Sequence, residues 1–235
     1  MFTPYTSTRG GCQEVAGTKT GYHHGDLCAA LIDAGLQLTR LGGPEALTIR
    51  EATRRAGVSP NAAYRHFADR DALLNAVATA IQDRMTERML TPVNGRGSAQ
   101  TRARKQLRAV GLGYIEFALD EPGWFSVAFF VGSASLDGGE AKLGPTHQPS
   151  GSGIPSADDG RVPPPLRALI DALDAMADAG VLQRNRRIGA EWPCWSAVHG
   201  FAELALRGPL RGTARPDLDA LAQRTVDDII SGLVH

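Results

Sequence analysis

Between Thr48 and His66 the chain sets Arg50, Arg54, Arg55 and Arg65 against a single acid, Glu51, a local balance of +3. Asn61, Tyr64, Arg65 and His66 cluster just after Ser59-Pro60, with only Ala62 and Ala63 among them. Amide, phenol, guanidinium and imidazole groups all donate hydrogen bonds, and two alanines keep the surface low enough to approach a partner closely. His66 adds charge when protonated. The chemistry these types suit is recognition of a polyanion. Thr48, Tyr64 and Arg70 suit backbone phosphates, while Asn61, Arg65 and His66 suit base edges, with Arg50 and Ser59 flanking them. The same residues also fit a blander arrangement, a solvated basic helix face with Tyr64 partly in a core.

Short helices must position these side chains. Thr48-Ile-Arg-Glu51 matches a capping box, which starts a helix that runs to about Ala56. Gly57 permits a left-handed turn, and Ser59 with Pro60 at the next position starts another helix, predicted to reach about Phe67. Upstream, Leu27, Ala30, Leu31, Ala34, Leu38 and Leu41 form a stripe at three- and four-residue steps, stopped by Gly42-Gly43-Pro44. Downstream, Asp69 caps a longer helix with Leu73, Val77, Ile81 and Met85 on its apolar face. Two short helices joined by a tight turn make a helix-turn-helix, whose second helix fits the DNA major groove.

Residues 22–85, and above all the run GVSPNAAYRHFADRDALL at 57–74 with TIREATRRA before it and YHHGDL at 22–27, resemble the N-terminal domain of TetR/AcrR-family transcriptional regulators. The resemblance implies that Tyr64 and Arg70 contact phosphates. It also implies that Pro60, Ala62, Asn61 and His66 face the groove and that Phe67 fills the small domain's core. It further implies a homodimer on a palindromic DNA operator, a C-terminal ligand-binding and dimerisation domain, and repression relieved by a small molecule. Trp195-Ser-Ala-Val-His199-Gly200 is similar to the Trp…His-Gly signature of one C-terminal subgroup.

The rest of the chain also reads as helical. Leu107, Val110, Tyr114 and Phe117 line one helix, Leu166 to Met176 another, Pro193 to Arg207 a third, and Leu218 to Leu233 a last one. No sustained alternating strand pattern occurs, so the expected fold is all-α: a three-helix helix-turn-helix domain at 22–85 and a larger helical domain at 86–235. A polar arm at 1–21 and a loop at 132–162, where Gly, Pro and Ser fill fifteen of thirty-one positions, complete the plan. The aromatic run Trp124, Phe125 and Phe129, with Trp195 and His199, is a candidate lining for an apolar ligand, and equally an ordinary core. The last two helices carry apolar faces on more sides than one chain can cover, which suits a two-fold four-helix dimer interface.

Composition limits the alternatives. Twenty-five basic residues balance twenty-five acidic ones, so affinity for nucleic acid must come from a local patch. Cys12, Cys28 and Cys194 form no ligand-spaced pair, so neither a metal nor another cofactor is expected. No signal-like leader or membrane-length apolar run occurs, and a cytoplasmic location is expected. No phosphate-binding glycine loop, nucleophile elbow or zinc-protease motif is present, so the expected class is not an enzyme. Two further readings stand beside a ligand-released repressor: a constitutive dimeric DNA-binding protein, and an enzyme using His199 as a general base.

Overall fold

The computed structural model describes residues 24–92, 97–130 and 162–234. The expected arm at 1–21, and the 132–162 segment apart from Val162, lie outside the described residues. The described residues are helical and contain no strand, in agreement with the all-α expectation. They divide into two compact units: residues 24–81 with 123–130, and residues 82–122 with 162–234.

The first unit opens with α1 (His24–Gly42) and a single 3-10 turn at Pro44–Ala46. Next come α2 (Ile49–Ala56), α3 (Pro60–Ala63) and the first part of α4 (Arg70–Met89). The apolar stripe of α1 turns inward at Leu31 and Ala34, to join Leu47, Ala52, Ala63, Phe67, Leu73 and Val77 in one core. Leu41, by contrast, is fully exposed. Phe67 is buried, so the turn after α3 is pinned to that core.

A helix that the sequence pattern did not delimit also belongs to this unit: Pro122–Phe130, which contains Trp124, whose indole N–H donates to the Leu36 carbonyl at 2.8 Å. The Arg40 guanidinium lies 5.2 Å above the Trp124 ring, a cation–π contact. At Gly123 a β-carbon would run into the Thr39 and Arg40 carbonyl oxygens, so only glycine permits so close an approach to the end of α1.

The second unit is built around α5 (Ala99–Asp120), which α7 (Pro164–Asp178), α9 (Glu191–Leu206) and α10 (Arg215–Val234) pack against, α6 being the Pro122–Phe130 helix. Ser98 caps α5, its hydroxyl accepting from the Thr101 N–H at 3.2 Å. The short α8 (Arg184–Arg187) was not foreseen; its Arg187 bridges Asp174 at 2.6 Å and Glu191 at 2.8 Å, linking α7 to α9. Tyr114, Ile115, Leu173 and Met176 form the centre of the core. Arg108 grips Asp227 through two nitrogens, at 2.6 and 3.1 Å, and so fixes α5 to α10. Asp120 accepts from Arg215 at 2.6 Å and Arg88 at 2.9 Å. Burial opposes its charge, yet these two guanidiniums hold the Asp120 carboxyl below the usual range.

Candidate nucleic-acid interface and interior cavity

The helix-turn-helix is assembled by its caps. The Thr48 hydroxyl accepts from the Glu51 N–H at 3.1 Å and closes the first turn of α2. At the other end Gly57 adopts φ 69°, a left-handed conformation that a β-carbon disfavours, and Val58 N–H returns to the Thr53 carbonyl at 3.0 Å. Ser59 then caps α3 by accepting from Ala62 N–H at 3.3 Å. In capping, each hydroxyl spends only acceptor capacity, which leaves its proton to donate outward.

α3 is shorter than the spacing predicts. Regular α-helix covers Pro60–Ala63, and the chain continues to His66 as tightened turns, with Arg65 N–H on the Ala62 carbonyl at 3.3 Å and His66 N–H on that of Ala63 at 2.9 Å. Burying Phe67 and reaching the Asp69 cap of α4 forces this tightening. Asp69 accepts from Ala72 N–H at 2.7 Å, as its spacing suggests.

The resulting surface is two-sided. Ala63 and Phe67 point inward, while Ser59, Pro60, Asn61, Arg65 and Tyr64 are exposed, Tyr64 at 54%. Thr48 and Arg50 are exposed as well, and Ala62 and His66 are half-buried. The local charge is redistributed by pairing: Arg54 Nε donates to Glu51 at 2.9 Å, and this bond holds the Glu51 carboxyl below its ordinary range. Arg55 leans back to the Gln37 amide oxygen at 3.2 Å. Arg50 and Arg65, like Arg55, are exposed and form no salt bridge to a carboxylate among the described residues.

Arg70, expected at a phosphate, is half-buried and bonded within the protein. Its Nε donates to the Leu47 carbonyl at 2.8 Å and its Nη2 to the Pro44 carbonyl at 2.6 Å, with Nη1 on Asp71 at 3.2 Å. The guanidinium is therefore committed to the turn that leads into Thr48. Its partners lie more than twenty residues upstream, so no local pattern announces this role.

The five residues grouped as a candidate ligand lining are divided between the two units. Trp124, Phe125 and Phe129 lie in the first unit, with Phe125 and Phe129 ring centres 5.2 Å apart, whereas Trp195 and His199 lie on α9 in the second. Inside the second unit an apolar cavity forms between α5, α9 and α10, with Trp195 in its wall beside Val110, Tyr114, Cys194, Val198 and Val226. Water-accessible space within it is only about 20 Å³. Next to it, the Tyr114 hydroxyl and His199 Nδ1 are 2.8 Å apart, and the phenol donates when the imidazole proton is on Nε2. Trp195 meets Tyr114 edge-on at 5.0 Å and stacks with His199 at an interplanar angle of 15°.

Burial sets the protonation of this group. It pushes the Tyr114 phenol far above its ordinary range, with the Glu203 charge acting the same way. It lowers His199, against Glu203, which raises it, and together with Arg207, which lowers it further. The Cys194 thiol is pushed up to about 11 by burial and then by Glu191, so it is a neutral wall group and not a nucleophile. Sequence spacing picked out Trp195 and His199 but missed Tyr114 as their partner, because 85 residues separate it from His199. No cluster of three or more metal-ligating side chains occurs among the described residues, and no described helix is long and apolar enough to cross a membrane.

A capped helix-turn-helix with an exposed polar second helix, carried on a chain with a separate helical unit, defines a DNA-binding regulator. Residues 31–77 match the bacterial regulatory proteins of the tetR family, and residues 107–229, slightly over half the chain, match the tetracyclin repressor-like C-terminal domain. The chain belongs to the TetR family of transcriptional regulators and is a DNA-binding protein of that class. No curated protein matches it. Among solved structures, it is similar to a Rhodococcus sp. RHA1 protein of unknown function (23% identity, 92% of this chain and 100% of that one, TM-score 0.61). A TetR-family transcriptional regulator from Pectobacterium atrosepticum is comparable (19%, 92% and 98%, TM-score 0.61). So is a TetR variant from Acinetobacter baumannii AYE solved in complex with minocycline (22%, 87% and 94%, TM-score 0.54). At these identities the likeness is one of fold.

Proposed function

We propose that the chain is a homodimeric repressor that binds a palindromic operator through α3 and leaves it when a small, largely apolar molecule occupies the second unit. The observation that carries this reading is the sidedness of the capped α2–turn–α3 segment. Ala63 and Phe67 fix it to the core, while Asn61, Tyr64 and Arg65 stand clear of the protein. Thr48, Ser59 and Tyr64 hydroxyls and the Arg50 guanidinium then set the register on phosphates. Pro60 and Ala62 allow close approach, and Asn61, Arg65 and His66 read bases.

The dimer face supports the same reading. On α9, Val198, Phe201, Ala202 and Ala205 turn into the core, which leaves Ala197, Gly200 and Leu204 along the outer side, Leu204 at 45% exposure. On α10, Leu218 and Ile230 are buried and Leu221 stays 41% exposed. A β-carbon at Gly200 would meet nothing within 4 Å in the protomer, which suits a helix arriving from a second copy. Two heads held this way reach half-sites about one helical turn of DNA apart, roughly 34–36 Å, or a multiple of it. Ligand releases such a dimer only by binding better to an arrangement whose heads mismatch that spacing.

Selection of bound fragments from a genomic DNA pool, followed by sequencing, gives the operator. On that operator the triple variant Asn61→Ala, Arg65→Ala, His66→Ala should keep its helical circular dichroism and lose sequence-selective retention by at least a hundredfold. Unchanged selectivity would sink the assignment.

One observation favours a second reading, a constitutive DNA-binding dimer without effector: the cavity has room for about one water. Mobility-shift titration of the operator complex against a metabolite panel separates the two. Release by any compound supports the repressor, and indifference to all of them supports the constitutive protein.

A further inference from the structure

Five exposed cations of the second unit form no salt bridge among the described residues: Arg102, Arg104 and Lys105 on α5, and Arg184 and Arg186 on α8. Packing gathers them. Arg108 bonds Asp227 at 2.6 Å, and twelve residues on along α5 and twelve back along α10, Asp120 bonds Arg215 at 2.6 Å, so the two helices run antiparallel. Counting the other way from Arg108, Lys105 and Arg104 fall level with Ile230 and Ser231, and Arg102 with Leu233. Arg186 Nη1 donates to the Gly232 and Leu233 carbonyls at 3.3 and 3.1 Å, which brings α8 to the same end of the bundle.

The carboxylates bonded at this end are already taken: Asp227 by Arg108, Asp228 by Arg224, and both Asp174 and Glu191 by Arg187. From Ala99 to Ile115, α5 carries no acid at all. Folding does not call for this arrangement, because positive charge in the first turns of a helix opposes its dipole and crowded like charges repel. The neighbours are polar as well, with Ser98, Gln100 and Thr101 exposed beside Arg102. Ile188, at 85% exposure, is a lone apolar side chain next to α8 and offers too little area to hold a bilayer. Arginine forks among hydroxyls suit phosphate oxygens.

We propose that this end of the second unit is a further nucleic-acid surface, which holds the phosphate backbone of a second duplex segment without sequence preference. The inference goes beyond the repressor reading and needs only that the chain is a DNA-binding protein. In a chain of zero net charge, five unneutralised cations at one end create a local field that the molecule as a whole lacks. Contacts of this kind are electrostatic and weaken with salt. A regulator with such an end tethers a second stretch of DNA to the one that its α3 reads.

The test holds the full chain on immobilised operator duplex and reads its capture of a labelled duplex of random sequence. The double variant Arg104→Gln, Lys105→Gln is compared with Arg211→Gln, Arg224→Gln, which removes the same charge from exposed positions outside the patch. Both should keep the parent's helical circular dichroism and operator affinity. Capture by the first should weaken at least tenfold, and its logarithmic salt slope should fall by about two per protomer, one for each lost phosphate contact. The second should stay within about twofold of the parent. Equal loss in both doubles, no capture by the parent, or capture indifferent to salt overturns the proposal. So does patch-dependent binding of polyglutamate, or of vesicles of equal phosphatidylglycerol and phosphatidylcholine, in place of the duplex, which would assign this end to an acidic protein or a lipid surface. If no operator can be selected, the chain is held by a biotin tag instead, and patch-dependent capture then upholds this surface while removing the repressor reading. Operator selection without patch-dependent capture does the reverse.

Discussion

Arg70 shows how a single side chain changes its meaning between sequence and structure. Read in line, it stands just beyond α3 among donors suited to phosphate. In the fold its two hydrogen bonds to the Leu47 and Pro44 carbonyls hold the turn from which Thr48 starts α2. Charge-assisted bonds of this kind contribute roughly 1.5–3 kcal/mol each when they are shielded, and less at a partly exposed site. Arg70→Ala should therefore destabilise the folded chain by about 2 kcal/mol in urea denaturation, and Arg70→Lys, which cannot span both carbonyls, by nearly as much. A residue serving only as a phosphate contact would leave the urea midpoint where it was and reduce the salt slope of operator binding by about one. Exposed donors such as Asn61 and Arg65 were legible in the sequence because local spacing places them. Arg70 and the Tyr114–His199 pair were not, because their partners are brought in from distant positions by packing.

Helix boundaries were legible where a cap is written in adjacent residues. Thr48, Gly57, Ser59 and Asp69 each make the bond or adopt the backbone conformation that their type and position suggest. The length of α3 was not, because the burial of Phe67 tightens the turn beyond Ala63. Nor was the placement of the Pro122–Phe130 helix, whose uniformly apolar sequence has no sidedness; its partner is chosen by Trp124 reaching Leu36 and by glycine at position 123. Close helix approach recurs within the second unit. At Gly113 a β-carbon would stand 2.8 Å from Met89 Cα and 2.9 Å from the Arg88 carbonyl oxygen, both of them backbone atoms that cannot swing away. Gly113→Ala would push α5 off the last turn of α4, at a cost of about 1–3 kcal/mol in spite of alanine's better helix propensity. Differential scanning calorimetry checks this, and a melting temperature equal to or above that of the parent chain would contradict the packing described here.

For the whole molecule, the balance of twenty-five positive and twenty-five negative residues has a definite consequence. A neutral chain exerts little long-range pull on DNA, so on the proposed reading the affinity comes from the outward faces that carry Arg50 and Arg65, acting together through a dimer. If the paired heads neutralise about six to ten phosphates, affinity should fall on the order of 10³–10⁵ between 50 and 200 mM salt. The proposed dimer face allows that number to be divided. Gly200 opens onto free space in the protomer, beside the exposed Leu204 one turn further along α9. Gly200→Arg should leave the protomer's helical signal intact while placing a charge, and its like-charged symmetry mate, in the centre of the interface. Sedimentation equilibrium should then show monomer, and the logarithmic salt slope of DNA binding should drop to about half, because one head remains on one half-site. A variant that stays dimeric with the full slope would move the interface away from α9, whereas a monomer that kept the full slope would mean that a single head supplies every phosphate contact.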